Sequence, residues 1–69
     1  MFIVSENPRH KPVNPDLCAA IDKLIIPNNS MISFYITGGR IDWAFSDDSE
    51  CEKVYKWIIE KYGIPIYSP

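Results

Sequence analysis

Apolar and polar positions alternate most regularly between Met31 and Phe45, where two β-rich runs flank Gly38-Gly39. A two-residue loop with glycine at both central positions suits a primed hairpin turn, whose twist matches that of paired strands. Such a turn sets an expected register: Thr37 opposite Arg40, Ile36 opposite Ile41, Tyr35 opposite Asp42, Phe34 opposite Trp43, Ser33 opposite Ala44 and Ile32 opposite Phe45. Because side chains alternate between faces, Ile32, Phe34, Ile36, Ile41, Trp43 and Phe45 fall on one side. Ser33, Tyr35, Thr37, Arg40, Asp42 and Ala44 fall on the other. The first set is wholly apolar, so it is the expected core face.

Two stretches follow the helical period. Asn14-Pro15-Asp16 is a helix-start signal, with an N-capping side chain, proline at the first position and a carboxylate in the first turn. From there Leu17, Ala20, Ile21 and Leu24 recur on one stripe, which predicts a helix from Pro15 to about Ile25, ended by Pro27. Pro27-Asn28-Asn29-Ser30 is the turn into the hairpin. The second helix begins after Ser46, the expected N-cap with Asp47 as the alternative, and ends at Tyr62 before Gly63 and Pro65. Its apolar stripe is Cys51, Val54, Tyr55, Ile58 and Tyr62, flanked by Ile59, and Glu52 and Lys56 form a favourable pair one turn apart. Trp57 points away from that stripe. It either lies under the C-terminal tail, Ile64 to Pro69, or is exposed and marks a contact surface. Phe2-Ile3-Val4 is a candidate edge strand beside the hairpin, and Pro8-Arg9-His10-Lys11-Pro12 is a solvated loop. The expected fold is therefore α+β, a single domain over residues 1–69 in the order α-β-β-α. Two helices cover one face of a central antiparallel hairpin, with a possible third strand from the N-terminus.

Composition narrows the chemistry more than the fold. The chain has 69 residues, enough for one small core, and 46% hydrophobic with 13% aromatic residues argues against disorder. No apolar run reaches the length of a membrane span, and the opening residues meet Glu6 before forming a signal-peptide core, so a cytoplasmic location is expected. Cys18 and Cys51 match neither a CxxC motif nor a zinc set, and are expected to be buried thiols. Asp47, Asp48, Glu50 and Glu52 complement the amides of a helix N-terminus; calcium loops need a central glycine that this run lacks. Gly38-Gly39 does not lead into a helix as a phosphate loop would, and a single histidine leaves few options for acid–base chemistry. Neither an enzyme, a metal site nor a cofactor is expected.

Two binding classes remain. Chains of this size are often regulators or inhibitors, many from phages or other mobile elements, which makes a module that docks on and occludes a larger protein the expected function. Its contact residues would be Tyr35, Arg40 and Asp42 on the outer sheet face, with Trp57 on the second helix. The alternative is a nucleic-acid module: the predicted order of elements resembles the layout of double-stranded RNA-binding domains, and Tyr35 on an open face is similar to a stacking platform. At the start of the second helix, however, stand four carboxylates rather than a basic cluster, and the net charge is −2. A homodimer through the outer face or an unpaired strand edge is compatible with either class.

Overall fold

The hairpin forms with its apolar and polar faces as the alternation sets them. In the computed structural model, which describes residues 2–68, strand β2 spans Ser30–Ile36 and strand β3 spans Gly39–Phe45. Met1 and Pro69, the outermost residues of the two terminal segments, lie outside the described residues. The register differs from expectation: Ile36 faces Gly39, Phe34 faces Ile41, Ile32 faces Trp43 and Ser33 faces Asp42. The loop is Thr37-Gly38, and only Gly38 has a positive φ, at 84°, as a type II turn requires at its second central residue. A primed type I turn would need it at both. The displacement moves each cross-strand partner by two positions, so every side chain keeps its face.

A three-stranded antiparallel sheet and one helix make up this small α+β domain, with strand order β1-β2-β3. Strand β1, Cys18–Leu24, occupies the segment whose periodicity predicts the first helix. The Asn14 cap does operate, its side chain accepting the Asp16 amide, but the helix stops after a single 3₁₀ turn over Pro15–Leu17. A helix this short is marginal on its own, and the hairpin would leave one edge of β2 without a partner. As a strand the segment fills that edge and buries Ile21 completely, at the cost of leaving Leu17 and Leu24 about half exposed. The Phe2–Val4 run adds no strand to the sheet; Ile3 is buried and pairs with Val13 within the N-terminal loop.

Helix α1, Asp48–Tyr62, is the one the sequence announces. Asp47, not Ser46, is its N-cap, accepting the amides of Ser49 and Glu50, and Gly63 closes it in the left-handed conformation. Cys51 and Ile58 are buried against Ile21, Ile32, Phe34 and Trp43 of the sheet, and Val54, Tyr55, Ile59 and Tyr62 flank them. Glu52 pairs with Lys23 of β1 at 2.8 Å instead of with Lys56, which ties the helix to the edge strand β1. One helix covers part of the inner face, and the N-terminal loop with Ile3 and Val13 supplies the rest. Beyond α1 the chain turns under the sheet: Ile64 is buried, Ile21 donates its N–H to the Pro65 carbonyl at 2.9 Å, and Tyr67 donates to the Ile21 carbonyl at 2.8 Å. The tail thereby forms a parallel bridge on the outer edge of β1.

Candidate functional site

The side chain with most influence on the free surfaces is His10. It lies in the proline-flanked loop expected to be solvated, and Arg9 and Lys11 are exposed there, but His10 itself is buried. Its ring stacks on Trp43, 5.0 Å between centroids and 6° from parallel, and meets Phe45 at 4.8 Å. Nε2 lies 2.8 Å from the Ala44 carbonyl; since a carbonyl only accepts, Nε2 carries the proton. Nδ1 lies 2.7 Å from the Ser5 hydroxyl, which donates to it in that tautomer. The Ser5 oxygen also accepts the Asn7 amide at 2.9 Å, and the Trp43 indole donates to the Lys11 carbonyl at 2.8 Å. A serine and a histidine in contact resemble part of a hydrolytic dyad. Here the contact fastens a loop: Ser5 is held by the Asn7 amide of the loop itself and His10 by the Ala44 carbonyl of β3. The pairing is invisible in the local sequence because Ala44 and Trp43, which bury the ring, come from β3.

Pinned in this way, the loop forms one wall of a cleft of about 640 Å³. Val4, Glu6 and Asn7 stand on the loop side, Phe45 on the sheet side, and Asp47, Glu50, Val54 and Trp57 on the helix. The four helical positions are spaced three, four and three residues apart, a second stripe beside the one that packs on the core. That spacing is legible in the sequence; that a loop would stand opposite it is not. Trp57 is 40% exposed at the cleft, while the tail runs to the β1 edge, so the tail does not cover it. Its ring meets Tyr62 edge-on at 5.8 Å and carries the Lys61 ammonium 5.3 Å from its centroid. Val4 is 59% exposed at the opposite wall. Asp47 is engaged in capping, whereas the carboxylates of Glu6 and Glu50 have no hydrogen bond or ion pair among the described residues.

The other three expected contact residues lie on the far side of the sheet. Arg40 and Asp42 form an ion pair with Nε 3.0 Å from Oδ1, and the Ser33 hydroxyl donates to the same carboxylate oxygen at 2.8 Å. Tyr35 stacks under Tyr67 of the tail, 4.6 Å between centroids, so it is not an open stacking platform. Trp57 is therefore separated from Tyr35, Arg40 and Asp42, and the four do not make one surface. The likeness to the layout of double-stranded RNA-binding domains also lapses, because its first helix is a strand.

Both cysteines are free thiols, Cys51 buried and Cys18 half-buried. Burial pushes the Cys51 thiol up to about 11 and raises that of Cys18, which makes both poor nucleophiles at neutral pH. Among the described residues no cluster of histidine, cysteine and carboxylate side chains is placed to hold a metal ion, and no helix is long and apolar enough to cross a membrane. Compared with protein-family models, curated proteins and solved structures, the chain matches none of them.

Proposed function

We propose that this chain is a non-catalytic protein-docking module whose cleft beside Trp57 receives a positively charged segment of a larger protein. The observation that carries the reading is the exposed Trp57 ring on a cleft whose walls combine apolar side chains with the carboxylates of Glu6, Asp47 and Glu50 and carry no lysine or arginine among the described residues. An indole kept partly in water in a domain with so small a core is surface the fold does not use, and tryptophan is the residue most enriched where proteins meet. Val4, Phe45 and Val54 offer contact to the aliphatic stem of a lysine or arginine, and Glu6 and Glu50 offer its head an ionic partner. The Lys61 ammonium already rests over the Trp57 ring, which shows the ring accepting a cation within the chain. Docking there would cover the basic segment of the partner, the occluding action of a small regulator or inhibitor.

A titration followed by nuclear magnetic resonance tests this. Short peptides carrying arginine beside an aliphatic residue should shift the Trp57 indole and Glu50 amide signals saturably, leaving the buried Trp43 indole in place. Trp57→Ala and Glu50→Gln should each weaken the titration several-fold, added salt should weaken it further, and acidic peptides should have no effect. Cleft signals that ignore the basic peptides, or that move equally in Trp57→Ala, would remove the reading.

A further inference from the structure

We infer that the outer edge of β3 pairs with the same edge of a second copy of this chain, antiparallel and centred on Ile41. The argument begins with the direction of backbone groups. In an antiparallel hairpin, residues alternately turn their N–H and C=O toward and away from the partner strand. Gly39 closes the hairpin against Ile36, so Gly39, Ile41, Trp43 and Phe45 face β2 while Arg40, Asp42 and Ala44 face outward. The bond from His10 to the Ala44 carbonyl agrees with that assignment. At Arg40 and Asp42 no backbone group of the described residues pairs with this edge.

A two-fold axis beside Ile41 sets Arg40 against Asp42 of the copy, and Asp42 against its Arg40. Both positions turn their peptide groups outward, so each of these facing pairs can exchange two backbone hydrogen bonds. Both side chains project from the outer face, so each guanidinium meets a carboxylate. An edge bearing only lysines would repel its own copy, which is a common way of keeping edges apart; arginine and aspartate two positions apart are complementary to themselves. On the inner face Ile41, only half-buried, meets Ile41 of the copy in the closely spaced type of pair, and gains cover. The same axis sets Gly39 against Trp43 of the copy, where the Lys11 carbonyl crowds the edge. A side chain at Gly38 or Gly39 would meet nothing within 4 Å in the single chain, so there is space for the loop of the copy. The result is one continuous six-stranded sheet, isologous as closed dimers require.

Sedimentation of the whole chain over a range of concentrations tests the pairing. The wild type should pass from monomer to dimer as concentration rises. Arg40→Asp and Asp42→Arg should each abolish the dimer, because each sets like charges opposite one another twice, with circular dichroism showing that both variants fold. An equimolar mixture of the two variants should restore a dimer, now a heterodimer, since each aspartate then faces an arginine. Neither variant keeps the ion pair within its own chain, so the return of the dimer reports only contacts between chains. Should one variant fail to fold, the exchange of both residues in one chain, R40D with D42R, must dimerise like the wild type. A wild type that stays monomeric at the highest concentration, single variants that still dimerise, or a mixture or double exchange that stays monomeric overturns the inference.

Discussion

The two flanks of the sheet are finished in different ways. On the β1 flank the chain covers its own edge: the tail bonds to Ile21 on both sides, Tyr67 lies over Tyr35, and Lys23 joins Glu52 of the helix. On the β3 flank the described residues cover only one end, through His10 and the Lys11 carbonyl, and leave open the edge at Arg40 and Asp42 and the cleft under Trp57. Unpaired backbone and exposed indole are costs for a small domain that must draw its stability from few contacts. Their concentration on one flank separates the molecule into a side that holds the fold and a side with capacity to bind. Three experiments press on that separation.

The largest effect is expected where the two sides meet. Replacing His10 with alanine removes the stack on Trp43, the contact with Phe45 and two hydrogen bonds, and leaves the Ala44 carbonyl without its partner. The sum of these losses should destabilise the domain by about 2–3 kcal/mol. Urea unfolding measures it. The cleft should be lost before the fold, so in His10→Ala the amides of residues 4–7 should exchange faster at denaturant concentrations where β1 and β2 remain protected. An unchanged midpoint would mean that Ile3, Val13 and the bond from Trp43 to the Lys11 carbonyl hold the loop without His10.

A pH titration acts on the closed flank. The Cys51 thiol, which lies near Lys23, ionises at 9.0 in an unperturbed chain and is pushed up to about 11 by burial in the fold. Between those values the folded state binds more protons than the unfolded one, so stability is full below the lower value and falls as pH rises toward the higher, by on the order of 2 kcal/mol. Two neighbours act in the same sense. The bond to Glu52 raises Lys23 above its usual 10.5, so that contribution disappears only as pH climbs through the raised value, and burial raises Tyr55. Cys51→Ala should be less stable at neutral pH yet show a shallower alkaline decline. Equal slopes for the two proteins would show that the thiol is not what couples this flank to pH.

What the sequence made legible follows the same division. The faces of the hairpin and the C-terminal limit of α1 rest on local signals, alternation in one case and a Gly63 terminus in the other, and both survive in the structure, while the N-cap falls on Asp47, the alternative to the expected Ser46. The register expected from a Gly38-Gly39 loop is two positions out, because Thr37-Gly38 closes the hairpin instead and alternation, which is the same for both loops, does not distinguish them. Cys18–Leu24 satisfies the helical period as well as it satisfies a strand; the unpaired edge of β2, the next element in the chain, decides between them. His10 reads as solvated from its charged and proline neighbours, and only Trp43, Phe45 and Ala44 reveal it as buried. For Trp57 the direction was legible, away from the core stripe, but the cleft depends on a loop that His10 positions. The strand at Cys18–Leu24, the burial of His10 and the cleft at Trp57 depend on contacts between separate elements, which is also where the binding surfaces arise, whereas the register is decided within the turn itself.

The smallest change in stability should come with the largest change in assembly. Deleting residues 66–69 removes one backbone hydrogen bond to the Ile21 carbonyl and the ring over Tyr35, worth about 1 kcal/mol together. The deletion leaves the buried Ile64 in place and leaves Pro65, now the terminal carboxylate, to accept the Ile21 amide, so the domain should still fold. Yet it exposes the Ile21 carbonyl and the neighbouring edge of β1, giving each chain two pairable edges where it had one. A chain with one open edge stops at a closed pair; a chain with two can extend into a filament. Sedimentation of the shortened protein should therefore show species larger than a dimer at concentrations where the full chain shows none, and adding Asp42→Arg should reduce them by blocking the β3 side. If the shortened chain assembles no further than the intact one, the tail contributes packing over Tyr35 without guarding an edge, and the contrast between the flanks narrows to the cleft alone.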